Sequence, residues 1–132
     1  MKYLSKPFRV DYSDTDQMGF MHHSNYLRFF EKARISWLRD LGISYKKMEA
    51  DGVVMPVVSS SLIHIKPSFF DDQLVIQIQL SQIPKASLDF NYIVYNQNKE
   101  LICKGTTRLA FLNSKTQKPV RCPSFLYNLF GE

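Results

Sequence analysis

Hydrophobic periodicity is densest between Tyr26 and Leu41. Tyr26, Phe30, Ala33, Trp37 and Leu41 recur at helical spacing, and Leu27 and Leu38 widen the stripe. Arg28, Glu31, Lys32 and Arg39 fall mainly on the opposite side. The spacing predicts a helix over residues 25–41, about 25 Å long at 1.5 Å per residue. Ser24 is the expected N-cap, because its hydroxyl can accept from a free N–H of the first turn. Gly42 stands where a left-handed residue would end the helix. A stripe this wide and aromatic predicts a helix embraced by other elements rather than laid on a surface.

Elsewhere the period is two. Phe8, Val10 and Tyr12 predict a first strand with one apolar face. After a short helical turn at residues 45–50, Leu62, His64 and Lys66 alternate with Ser61, Ile63 and Ile65 up to Pro67. Leu74, Ile76, Ile78 and Leu80 mark a half-buried strand, and Leu88, Phe90, Tyr92 and Val94 mark the next. Cys103, Gly105, Thr107 and Leu109 share a face of the last long strand, and residues 124–130 predict a short terminal helix. One long helix followed by strands on short turns is the α+β pattern, with antiparallel neighbours. A curved antiparallel sheet of about five strands around that helix satisfies both periodicities. It would leave an unpaired edge, where a second copy is expected.

Size and charge narrow the function classes. A chain of 132 residues fits one domain, residues 1–132. At that length roughly two thirds of the unfolded surface can be buried. Hydrophobic residues make up 45% of the chain, which excludes a disordered protein. No apolar run approaches the ~20 residues of a membrane span, and the first dozen residues lack the apolar core of a secretory leader. Two cysteines predict no disulfide framework, and a reducing cytoplasm is the expected compartment. The net charge of +5 suits an anionic ligand. The cations are scattered, so a nucleic-acid groove is not expected.

The candidate chemistry gathers between the first strand and the helix. Asp14 and Asp16 are followed by Gly19, His22 and His23. The aspartates could be turn residues accepting from loop N–H groups. They could join the histidines at a metal, but adjacent histidines seldom face one ion and no ligand spacing is recognisable, so no metal is expected. Or a carboxylate could face the helix N-terminus, with a substrate carbonyl between them. Free N–H groups at a helix start suit a developing negative charge, and a carboxylate there could attack or activate water. His64, on an alternating strand, reads as structural. Ser59, Ser60 and Ser61 lack the setting of a serine nucleophile and read as strand and pocket-lining residues. Lys66 is the first choice among the cations for meeting a phosphate.

Tyr12-Ser13-Asp14-Thr15-Asp16-Gln17-Met18-Gly19, with His23, Asn25 and Tyr26 behind it, resembles the signature of the 4-hydroxybenzoyl-CoA thioesterase family, D-T-D-x-x-G-x-x-x-H-x-x-Y. The resemblance extends in element order to about Leu112, and Phe69-Phe70-Asp71-Asp72 is also similar to the family. It implies a hot-dog fold and an acyl-CoA thioesterase without cofactor or metal. The substrate would be an acyl-CoA, split to free CoA and a carboxylic acid. Asp16 stands at the family's catalytic carboxylate, as nucleophile or general base. Gly19 would let the loop pass close to the acyl group. His23 would offer its backbone N–H to the thioester oxygen, with Ser24 beside it. Asn25 and Tyr26 would shape the entrance and acyl pocket, and Asp14 would be structural. Phe20, Met21 and His22 depart from the residues common at those positions, which bears on acyl specificity. A homodimer joined sheet edge to sheet edge, often paired again into a homotetramer, is also implied. An acyl-ACP thioesterase and a non-catalytic acyl-CoA-binding module are the alternatives.

Overall fold

The computed structural model describes residues 2–131. Its strands are β1 (Lys2–Leu4), β2 (Phe8–Arg9), β3 (Val53–Val54), β4 (Val57–His64), β5 (Gln73–Leu80), β6 (Ser87–Tyr95), β7 (Leu101–Ala110) and β8 (Leu112–Asn113). Its helices are α1 (Ser24–Asp40), α2 (Tyr45–Ala50) and α3 (Ser124–Phe130), with a single 3-10 turn at Tyr12–Asp14. The main sheet runs β1-β5-β6-β7-β4, all antiparallel, and β2 continues beside β5. β3 and β8 form a separate pair. This is the α+β hot-dog arrangement, a sheet wrapped on one long helix.

Helix α1 buries Tyr26, Phe29, Phe30, Ala33, Arg34, Trp37 and Leu38. Of the predicted stripe, Leu27 and Leu41 are only half-buried, and Phe29 and Arg34 join it. Their partners lie on the inward faces of the strands. The Phe30 ring stacks on Tyr92 at 4.1 Å and 3°, and Trp37 meets Phe90 edge-on. Phe8 stacks on Phe29, and Tyr3 on Trp37. Gly105 makes room beneath Phe30, because a Cβ there would run into the ring edge, 2.8 Å from Cζ. Burying one such side chain contributes about 1.5–3 kcal/mol, so this interface fixes where the helix starts relative to the strands. One contiguous core includes Ile76, Ile78, Leu88, Val94, Leu109 and Phe111.

Three boundaries differ from the sequence reading. The first strand ends at Arg9. Val10 is buried, but Tyr12 has entered the 3-10 turn and is 78% exposed, so the two do not share a face. Ser24 is the first residue of α1 rather than its cap. His23 holds the cap position, and its side chain makes no capping bond. Strand β4 begins at Val57, before the alternation becomes visible. At the other end of α1, Gly42 has φ +87° and ends the helix as predicted.

Candidate active site

The tip of α1 is held by the loop that precedes it. The Asp14 carbonyl accepts from the His22 N–H (2.9 Å) and from Asn25 Nδ2 (2.9 Å). The Asp14 carboxylate, itself buried, accepts from the Asp11 N–H (2.9 Å) and from Arg28 (2.6 Å). Asp14 therefore fastens loop to helix.

Asp16 sits at the turn of the same loop. Its Oδ1 accepts from the Met18 N–H (2.9 Å) and the Phe20 N–H (3.2 Å), while its own N–H donates to the Phe20 carbonyl (2.8 Å). Gly19 closes the turn at φ +82°, a conformation that favours glycine. Met21 continues the loop by a bridge to Thr15, and Phe20 pairs with Phe69. With Oδ1 fixed in this way, Oδ2 has no hydrogen bond among the described residues.

The N–H groups at the helix start are nearly all engaged. The Ser24 N–H donates to His22 Nδ1 (3.3 Å), which is also 2.8 Å from Ser24 Oγ. The Asn25 N–H reaches the His22 carbonyl (3.0 Å), and the Tyr26 N–H the His23 carbonyl (3.2 Å). The His23 N–H has no partner among the described residues. One free donor at the positive end of a 17-residue helix is a suitable seat for an anionic oxygen.

A cavity of about 430 Å³ joins these parts. Asp16, Phe20, Met21, His23, Tyr26, His64, Ile65, Lys66 and Pro67 line it. Of the residues singled out in the sequence, Asp16, His23, Tyr26 and Lys66 meet here. Gly19, Ser24 and Asn25 shape the loop and the helix start from outside the lining. Tyr26 is anchored by its hydroxyl donating to Ser68 Oγ (3.1 Å). Burial pushes its phenol up, outweighing the opposing effect of the Ser68 bond, so it stays protonated. Lys66 is not a free cation, since its Nζ lies 2.6 Å from Glu100. His64 is the residue that the sequence reading set aside. Its ring centroid stands 5.4 Å from Tyr26 and 6.3 Å from His23, and its imidazole has no hydrogen bond among the described residues. Alternation gave its face correctly but not its exposure.

Cys103 and Cys122 are free thiols, pushed up to about 11 by burial, and neither lines this cavity. No group of three or more potential metal-ligating side chains is found among the described residues. Among the described residues no helix is long and apolar enough to cross a membrane.

A sheet curled around a helix, with a carboxylate at the helix tip, defines a hot-dog protein with a candidate hydrolytic site. The chain belongs to the thioesterase-like superfamily, whose sequence profile matches residues 10–130. It is 31% identical to YneP of Bacillus subtilis (strain 168), over 92% of this chain and 88% of that protein. It is 30% identical to the acyl-CoA thioesterase YbgC of Haemophilus influenzae, over 91% of this chain and 88% of that one. The crystal structure of the DHNA-CoA thioesterase from Staphylococcus aureus superposes with a TM-score of 0.87 at 28% identity, covering 91% of this chain and 80% of that one.

Proposed function

We propose that the protein hydrolyses acyl-CoA thioesters to free CoA and a carboxylic acid. The observation that carries this reading is the pairing, in one cavity, of an Asp16 carboxylate with one free oxygen and a His23 residue with an unpaired backbone N–H. A thioester carbonyl between them would develop negative charge toward the His23 N–H. Asp16 Oδ2 would attack the carbonyl carbon or take a proton from the attacking water. The acyl-CoA thioesterase among the relatives supports the substrate class. Met21, Tyr26 and Phe20 offer an apolar wall for the acyl group, and Lys66, paired with Glu100, stands at the strand end.

The active unit in this reading is at least a homodimer. Strand β4 has β7 on one side and, among the described residues, no strand on the other. Its sequence, Val57-Val58-Ser59-Ser60-Ser61-Leu62-Ile63-His64, sets the apolar pairs Val57-Val58 and Leu62-Ile63 on either side of three serines. An antiparallel copy would therefore set apolar residues against apolar residues.

The test is a panel of acyl-CoA thioesters with free-thiol detection, on wild type and Asp16→Asn together. An asparagine Oδ1 can accept the same two loop N–H bonds, so the turn survives while the anionic oxygen is lost. Turnover should fall by about 100- to 10,000-fold. Wild-type rates from a folded Asp16→Asn protein would overturn the reading. Release from acyl-ACP, measured alongside, separates the two carriers.

A further inference from the structure

Resting on that reading, we propose that His64 is a catalytic residue, the acid that protonates the departing sulfur. The thioesterase chemistry assigned to Asp16 and His23 provides for attack and for the oxyanion, but gives the sulfur no proton. His64 is placed to supply one. It is the last residue of β4, and its Cα partner across the ladder is Cys103, a buried inward-facing residue, so His64 projects toward the helix side of the sheet. There its ring lies beside His23 and Tyr26 at the start of α1, and it remains exposed while lining the Asp16 cavity. It approaches across the cavity from the sheet, whereas Asp16 and the His23 N–H come from the loop and the helix.

Its chemistry suits the position. Imidazole is the side chain that gives and takes a proton near neutral pH. The His64 ring is oriented only by ring contacts with Tyr26 and His23, leaving both nitrogens without protein partners among the described residues. The groups that face it are Tyr26 and His23 from the helix, Asp16 from the loop and Lys66 beyond the strand end, the last already paired with Glu100. The other candidate imidazole, His23, lies 4.1 Å ring to ring from His22 on the helix side, where the oxyanion is received.

The step balances whichever way Asp16 works. The carbon–sulfur bond breaks and its electron pair goes to sulfur. The proton on one His64 nitrogen passes to that sulfur, releasing the thiol and leaving neutral imidazole. The proton given up by the water that ends in the carboxylic acid is returned through solvent to His64.

Leaving-group dependence tests this. A CoA thiol benefits from protonation as it leaves, while an aryl thiol departs readily as a thiolate. Wild type, His64→Ala and His64→Gln would be assayed on one acyl group carried first by CoA and then by a nitro-substituted aryl thiol. The expected result is a kcat loss of about 100-fold or more on the CoA ester in both variants, and less than about threefold on the aryl ester. Equal losses on both esters, or none, would overturn the role of His64. Failure of the thioesterase reading would look different, because wild type would then release neither thiol in an Asp16-dependent way. Circular dichroism and thermal melts, expected to be unchanged for an exposed position, ensure that either outcome speaks to chemistry.

Discussion

At Asp14 every acceptor is in use: one carboxylate oxygen takes the Asp11 N–H, the other takes Arg28, and the backbone carbonyl takes His22 and Asn25. Two residues on, Asp16 keeps an oxygen free. An Asp14→Ala protein would leave the Asp11 N–H and the Arg28 guanidinium without that carboxylate, but would retain the carbonyl that holds the helix tip. These bonds are part-buried and Arg28 is half-exposed, so each loss costs about 0.5–1.5 kcal/mol, which urea denaturation would read directly. Turnover should fall less than in Asp16→Asn. The reverse order would move the essential carboxylate to position 14. The division between the two aspartates is what the resemblance of the whole spaced pattern, not the lone D-x-D, implies, and the bonds of Asp14 agree with its structural half. Two other residues were not legible. Ser24 has the chemistry of a cap, yet the helix begins one residue earlier in effect, because the His22 ring takes the Ser24 N–H. His64 alternates like a core residue, yet it is exposed and lines the cavity beside His23 and Tyr26. Sequence spacing does not record which strand end meets which helix end.

Among elements, the contact between α1 and the β6–β7 pair sets the position of the site. Phe30 lies flat on Tyr92, and Gly105 supplies the space for the ring edge. Gly105→Ala would place a methyl group against Phe30 and 3.1 Å from the Ser61 carbonyl. Overpacking of this kind costs about 1–3 kcal/mol, and here relief would have to come from a shift of α1 or β4, the two elements that carry His23 and His64. The expected outcome is a lower melting temperature together with reduced turnover. A variant as stable and active as wild type would show that the helix position is not set here. Elements with a clean period were readable from the sequence: α1 by its stripe, and β5, β6 and β7 by alternation. β1 was missed, because three residues are too few to show a period. The start of β4 at Val57 and Val58 was missed because both are exposed, so no buried face imposes a pattern on them.

That exposure becomes informative for the whole molecule. Val58 and Ile63 are 57% and 62% exposed on a strand whose second edge has no strand beside it among the described residues, an arrangement that invites pairing with another chain. Beside the same strand, a groove of about 360 Å³ is lined by Leu27, Glu31, Arg34, Val57 and Ser60 among others. Arg34 is buried there with its Nε unpartnered among the described residues, and its one hydrogen bond among them is a long 3.5 Å contact to the Tyr92 hydroxyl. A second copy pairing along β4 would cover the groove, complete the ladder and bury both apolar pairs of the strand. It would also close the cavity on the side where His64 stands. Lysines at positions 58 and 63 would set like charges into that seam while leaving the core of each subunit untouched. Val58→Lys/Ile63→Lys should therefore sediment as a folded monomer, with unchanged circular dichroism and with thioester hydrolysis reduced because the His64 side of the cavity lies open to water. A dimer that persisted would move the contact to another face. A fully active monomer would show instead that one chain encloses the whole site.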